Sequence, residues 1–397
     1  MTLLSVTSLL LVNVLLHPAQ SLVIKSTRDR FIEEAQADFA LNLLKTVAKS
    51  NETVTLSPFS INIALAIVYA GAEGKTKQQI AEVLTKGQNS QRLNNYFSYL
   101  LTEILKKKNK YILNIANRLY IHHSFDLKQA YISIVKSHYA EQLQQVNFDQ
   151  KDAVVKAADE INRWVAQQTN GKIKNLVIPS DIRSNTKLML TNAIYFKGNW
   201  ENPFDKSMTK AKIFHSHKPR KIEMMTTEGY FPYYEDENVQ LLGIPYIGHE
   251  VYFHVLLPQR RSDLVDIEKT LTGRKLLDYL QGSTETKVQV EIPKFNIEKK
   301  FQLVDSLKKM GMSDAFTHTA NFTVISDMPL YISAVLHKSF IEVNEEGSEA
   351  AASSTVELQM RSAPILFPAA RVFCADHPHL FAITWHSTTV LFIGRIA

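Results

Sequence analysis

The chain has 397 residues, 45% hydrophobic and 21% charged, the balance of an ordinary soluble globular protein. Its formal net charge of +6 is a mild basic bias and not the signature of a nucleic-acid partner. The single cysteine, Cys374, excludes an intramolecular disulfide, and a chain of this length buries enough surface to need none.

Residues 3–16 form an apolar run that ends before His17 and Pro18, with Ala19 and Ser21 as the small residues a signal peptidase reads. The run is shorter than the roughly 20 residues of a membrane span. Residues 1–21 therefore read as a cleaved secretory signal, with an anchored or buried N-terminal helix as the alternative. No later stretch approaches spanning length, so the mature chain is expected to be soluble, secreted and extracellular, with no membrane partner. Two sequons fit that route: Asn51-Glu52-Thr53 and Asn321-Phe322-Thr323 are acceptors for N-glycosylation.

No repeat, low-complexity linker or Pro/Gly-rich boundary divides residues 22–397, which predicts one domain. Helical spacing dominates its first part. Residues 28–49 set Phe31, Ala35, Phe39 and Leu43 on one face at steps of four. Residues 60–70 are apolar nearly all round, as in a buried helix, and 77–84 and 92–107 are amphipathic. Residues 152–169 give a further helix with Trp164 on its inner face and Asn170-Gly171 as its stop. Strand patterns follow at 187–196, 230–234, 240–245, 252–257 and 287–295. Residues 301–309 return to helix, ended by Gly311, and 330–343 and 388–395 are strands again. Helices first and strands later, without regular alternation, predict an α+β fold.

Signatures of catalysis are missing. The chain has no G-x-S-x-G, H-E-x-x-H, C-x-x-C or G-x-G-x-x-G, which counts against a secreted enzyme of unrelated chemistry and against a bound cofactor. Gly74-Lys75-Thr76 imitates the end of a phosphate-binding loop, but Tyr69 stands where the first glycine belongs, so a turn opening a helix is the simpler reading. The pairs His215/His217 and His377/His379 lack a third ligand at a telling spacing, and no metal site is expected. His337, inside an apolar strand, reads as a hydrogen-bonded core residue and not as a catalytic base. Cys374, between Phe373 and Ala375, suits a small buried core position, with an intermolecular disulfide as the minor alternative. Lys106, Lys107, Lys108 and Lys110 bunch at the end of an amphipathic helix. They are read as cations at a helix C-terminus, with weak binding of a sulfated polysaccharide as the alternative.

One stretch stands apart: residues 345–362, EEGSEAAASSTVELQMRS. Every second residue from Ser348 through Ala350, Ala352, Ser354, Val356 and Leu358 to Met360 is small or apolar, and the interleaved set is mostly polar. Strict alternation suits a strand with one buried face. Gly347 and the Ala/Ser run nonetheless give little local drive to form one. An exposed loop whose side chains would fit a slot in a sheet reconciles the two.

This stretch resembles the hinge and reactive loop of the serpins. The resemblance extends to NAIYFKGNW at 192–200 followed by Glu201, Pro203 and Phe204, to SPFSI at 57–61, LHK at 336–338 and ADHP at 375–378. These lie in serpin order, so the likeness covers essentially the whole mature chain. It implies three β-sheets with about nine helices and an exposed reactive-centre loop at about residues 345–370. It implies a hinge at Glu345, Glu346, Gly347, Ser348, Glu349, Ala350, Ala351 and Ala352, and a polar shutter of Ser57, Ser60, Asn192 and His337 beneath the central sheet. Counting 17 residues from Glu345, as the family spacing implies, places the scissile bond at Arg361-Ser362. A shift to Met360 would favour a chymotrypsin-like or elastase-like target. Two departures stand out: residues 362–375 are longer than in many serpins, and His379 occupies a usual Phe position.

The resemblance then implies a monomeric inhibitor that forms a covalent complex with trypsin-like serine proteases, whose pocket Asp would pair with the Arg361 guanidinium. No charge or Pro obstructs the inward positions Ser348, Ala350, Ala352 and Ser354. The other reading is a serpin without inhibitory action, acting as a carrier, chaperone or storage protein.

Overall fold

A computed structural model describes residues 30–49, 51–87, 90–106, 110–139, 143–183, 185–347 and 369–397. The expected signal segment and most of the expected reactive loop, Arg361 and Ser362 included, lie outside the described residues. Five of the nine helices found among the described residues come early: α1 (Arg30–Val47), α2 (Pro58–Ala70), α3 (Gly74–Thr85), α4 (Ser90–Lys106) and α5 (Gln129–Tyr139). Then come α6 (Lys151–Gln168), α7 (Leu264–Thr270), α8 (Gly273–Gln281) and α9 (Val304–Lys309). No helix among them is long and apolar enough to cross a membrane.

The expected α+β class is what the strands build. A five-stranded sheet runs in the order β10 (Phe295–Gln302), β11 (Ile332–Val343), β4 (Leu188–Gly198), β2 (Tyr111–His122), β3 (Leu143–Val146). A nine-stranded sheet runs β1 (Val54–Leu56), β14 (Thr389–Ile396), β13 (His379–Trp385), β8 (Val251–Pro258), β7 (Val239–Pro245), β6 (Arg220–Glu235), β9 (Thr284–Pro293), β12 (Arg371–Cys374), with β5 (Lys210–Phe214) on β6. Three sheets were expected, and the strands among the described residues form two hydrogen-bonded sheets. The reason is β6: its 16 residues pair with β5 at one end, β9 along the middle and β7 at the other end, so one continuous ladder joins two layers.

The helix α2 fixes the middle of the molecule. Ser57 caps it, its Oγ accepting from the Ser60 N–H at 3.2 Å, and Pro58 at the first helical position gives up an N–H that had no helical partner. All 13 of its residues are buried, between the five-stranded sheet and β14. The other face of the five-stranded sheet is covered by α6. Ala157, Ala158, Ile161 and Val165 of α6 meet Ala116 and Tyr120 of β2, Met189, Ala193 and Tyr195 of β4, and Ala334 and Leu336 of β11. Trp164, expected on the inner face, is only partly buried and carries the Arg118 guanidinium 3.8 Å from its ring centre.

Several features differ from the sequence reading. The helix expected over 301–309 starts only at Val304, because Phe301 and Gln302 remain in β10, opposite His337 and Leu336. The single strand expected at 287–295 is two, broken at Lys294. Cys374 is half-buried at the edge strand β12, not sealed in the core, and its thiol donates to Glu291 Oε2 at 3.3 Å. Burial, helped by that neighbouring carboxylate, pushes the thiol up to about 12.

Candidate functional site: the seam between β4 and β11 and the base of the loop

The smaller sheet has two parallel junctions, a short one between β2 and β3 at its edge and a long one between β4 and β11 in its middle. β11 is antiparallel to β10 and β4 is antiparallel to β2, but β11 and β4 run parallel, with partners from Ile332↔Leu188 to Phe340↔Tyr195. Parallel pairing is slightly less stable per residue. The pairing stops before either strand does, so the seam is open at its Val343/Gly198 end.

Ser57, Ser60, Asn192 and His337 do converge midway along this seam. Register places Asn117 of β2, Asn192 of β4, His337 of β11 and Phe301 of β10 in one row across the sheet. The Ser57 N–H donates to His337 Nε2 at 3.2 Å, so the proton sits on Nδ1, which donates to Asn192 Oδ1. Asn192 Nδ2 donates to Ser60 Oγ and to Asn117 Oδ1. Asn117 Nδ2 returns to the Ser60 carbonyl at 3.0 Å, Ser60 Oγ donates to Asn117 Oδ1 at 3.1 Å, and Ser57 Oγ donates to Leu391 O at 2.6 Å. Each of these five side chains is at most 1% exposed. Burial holds the His337 imidazole down at about 3, hence neutral, as its two hydrogen bonds require.

Asn117 is the member that the sequence reading missed. It lies in YILNIANRLYIH, where Asn114 and Asn117 both interrupt an apolar run. Only the pairing of β2 with β4 shows which of them faces α2.

At the open end of the seam the chain turns back at Asn344–Gly347. The Asn344 and Gly347 N–H groups each donate to the other's carbonyl, at 3.0 and 3.2 Å. The turn is held on residues 199–204: the Trp200 N–H donates to Glu346 O at 3.1 Å, the Phe204 N–H to Glu345 O at 2.7 Å, and Trp200 Nε1 to Asn344 O at 2.8 Å. Trp200 is itself sealed, stacked on Tyr246 at 4.5 Å and 18°. Gly347 has φ +116°, and a Cβ there would stand 2.3 Å from Gly198 O and 2.7 Å from Asn199 Cα. No side chain fits.

Of the predicted hinge, then, Glu345, Glu346 and Gly347 are described, and Ser348, Glu349, Ala350, Ala351 and Ala352 lie outside the described residues. Glu345 is buried, with Thr209 Oγ1 donating to its carboxylate at 2.9 Å and Lys294 Nζ at 3.1 Å. Burial alone would raise its carboxyl, but a backbone hydrogen bond and those from Lys294 and Thr209 outweigh it and hold it below the usual range. Glu346 pairs with Lys206.

The remaining expectations fall as follows. Asn51 is exposed in a turn, and Asn321 is half-buried, its Oδ1 accepting from Thr323 Oγ1 at 2.7 Å. Lys106 pairs with Glu103 and Lys110 with Glu250, while Lys107 and Lys108 lie outside the described residues. Gly74 opens α3, the turn-and-helix reading of Gly74-Lys75-Thr76. His377 is committed to Asp376 and Pro258 O, and His379 Nδ1 donates to His377 O at 2.7 Å. The His379 ring, 1% exposed and edge-on to Phe214, fills its core position as a neutral imidazole, burial lowering it to about 4.

Comparison with known proteins agrees with this architecture. The family model described as serpin (serine protease inhibitor) matches residues 34–397, and the chain belongs to that family. It is 39% identical to Serpin B6 of Pongo abelii over 378 residues, covering 92% of this chain and 99% of that one. Among solved structures, Serpin48 of the insect Tenebrio molitor superposes with a TM-score of 0.82 at 30% identity, covering 93% of this chain and 98% of that one. Human thyroxine-binding globulin in complex with thyroxine superposes with a TM-score of 0.81 at 27% identity, covering 92% and 97%. The family is mostly one of protease inhibitors whose typical partners are target proteases, and it does not act by catalysis.

Proposed function

We propose that this chain is a secreted, suicide-substrate inhibitor of trypsin-like serine proteases, with Arg361-Ser362 as the bond attacked. The observation that carries the reading is the parallel β4–β11 seam, open at the end where Gly347 turns the chain back. A segment returning from Gly347 between these strands would run antiparallel to both. Eight parallel partner pairs would give way to two antiparallel ladders, a gain in main-chain bonding that needs no cofactor.

In this reading the protease serine attacks the Arg361 carbonyl and the acyl-enzyme forms. Cleavage then frees the segment after the Glu345–Gly347 anchor to enter the seam. Entry separates His337 from Asn192, so the cluster of Ser57, Ser60, Asn117, Asn192 and His337 acts as the shutter. A network this buried tolerates two complete arrangements but not a half-satisfied one. In the same reading residues 1–21 direct export, Asn51 and Asn321 carry glycans, and the inhibitor acts outside the cell as a monomer. A sulfated polysaccharide at Lys106–Lys110 would be a modulating partner only.

Incubation of the mature protein with trypsin, followed by denaturing electrophoresis, tests this. A band at the summed mass that survives boiling, with a released peptide beginning at Ser362, is expected. Two cleaved fragments beside fully active trypsin would sink trypsin inhibition. The carrier reading, which the likeness to thyroxine-binding globulin keeps in view, would gain if cleavage also failed to raise heat stability.

A further inference from the structure

Two imidazoles and one carboxylate meet at the far end of β2, away from the loop and the seam cluster. Successive residues of a strand point to opposite faces. Here β2 ends at His122 and the chain turns at His123, so both rings point the same way, their centroids 4.7 Å apart and their planes inclined by 30°. Main-chain bonds fix both positions: the His122 N–H donates to Lys187 O and the His123 N–H to Val146 O, each at 2.9 Å. Asp149, in the connection from β3 to α6, lies between the rings, its Oδ1 2.8 Å from His122 Nε2 and its Oδ2 2.9 Å from His123 Nε2. These donor atoms all lie within 4.8 Å of one another.

We propose that His122, His123 and Asp149 bind a borderline divalent cation such as Zn2+, through the two Nε2 atoms and one carboxylate oxygen. Two imidazoles with a carboxylate are a donor set of open transition-metal sites, with remaining positions left for water. The side chains of His123 and Asp149 are 48% and 51% exposed, so an ion reaches them from solvent. The oxygen-seeking ions Ca2+ and Mg2+ find too few oxygens.

The proton inventory favours the exchange. The Ser124 N–H donates to His122 Nδ1 at 3.2 Å, which places the ring proton on Nε2, facing Asp149. Ser124 Oγ lies 2.8 Å from the same Nδ1 and can accept that proton when it moves. Nε2 of His122 is then free to bind while the ring keeps its proton, and the Ser124 N–H gives up its bond to Nδ1 in the exchange. Ser124 thereby serves as the outer partner that ligating histidines generally have. Metal–ligand bonds of about 2.0 Å set tetrahedral edges of roughly 3.3 Å, which the exposed His123 and Asp149 side chains reach by rotating from donor separations that all lie within 4.8 Å. Asp149 stands two residues before Lys151, the first residue of α6, so the ion would fasten the start of that helix to the end of β2.

Calorimetric titration of the metal-free full chain with Zn2+ at neutral pH tests the site. One ion per chain is expected, with loss of that step in both His123→Ala and Asp149→Ala, exposed positions whose substitution leaves the core untouched. Ser124→Ala should weaken binding about 10- to 100-fold. Co2+ should give the visible bands of a four-coordinate ion, and excess Ca2+ should not displace it. Zn2+ should also slow amide exchange in the first turn of α6 in the unmodified chain and in neither ligand variant. Absence of a one-to-one step overturns the proposal. So does a step of equal strength in both ligand variants, which would assign the ion to other histidines.

Discussion

His337 and His254 are both sealed from solvent, both neutral, and both held by burial at about 3, yet they meet opposite surroundings. His337 has a partner on each nitrogen and lies in the seam of the five-stranded sheet. His254, on β8 in the nine-stranded sheet, has no hydrogen-bond partner on either nitrogen among the described residues. It stacks on Tyr252 at 5.7 Å and faces Leu41, Leu256, Leu276 and Leu280. The same side chain is a structural link in one region and an uncompensated cost in the other. Buried polarity at the seam joins strands whose backbone pairing is the weaker parallel kind. Around His254 the antiparallel ladders to β7 and β13 already hold the strands, and nothing calls for a polar atom.

Acidification should expose the cost shared by the two regions first. His254, His337 and His379 are all lowered in the folded chain. Below the ordinary histidine range the unfolded chain takes up protons that the folded chain refuses, so stability falls with falling pH. It keeps falling until the folded values near 3 to 4 are reached. Between pH 6.5 and 5 each histidine should remove about 1.6 kcal/mol. Denaturant titrations at stepped pH measure this, and a flat profile would show that these imidazoles are not sealed in solution. The contrast itself is broken most directly at His337. His337→Leu leaves the Ser57 N–H and Asn192 Oδ1 buried without partners, and should cost about 2–5 kcal/mol. Asn117→Ala removes one donor and one acceptor from the same cluster and should cost about 1–3 kcal/mol. Opposite in sign and smallest, His254→Met should stabilise by about 1 kcal/mol while reducing the acid slope. A loss of several kcal/mol there would show that His254 has a partner and that the comparison is false.

Local pattern revealed those parts that local physics decides. The buried, mostly apolar α2, the amphipathic α1 and α6, and the stop at Asn170 and Gly171, with φ +51° and +72°, were all legible. The seam cluster was legible only through family likeness. Ser57 and Ser60 are neighbours on one helix end, but their partners Asn117 and His337 are 57 and 280 residues away along the chain, and no periodicity connects such positions. Asn117 and the β10 placement of Phe301 depend on strand register, which is settled by tertiary pairing. The site at His122, His123 and Asp149 was overlooked for a similar reason. Its spacing resembles no ligand motif, and the turn ending β2 is what aims two neighbouring rings at one point.

The face that α6 lays across the seam has a mechanical consequence. Its footings stand on β2 and β4 on one side and on β11 on the other, and two of its four buried residues are alanines. A strand entering between β4 and β11 would push those footings apart by about 4.8 Å. Large side chains locked into pits would have to be withdrawn before that could happen. Ala157 and Ala158 have nothing to withdraw, which leaves Ile161 and Val165 as the buried side chains that must slide. The helix is seated as a skid rather than a bolt, firm enough to roof the sheet and smooth enough to let it widen beneath.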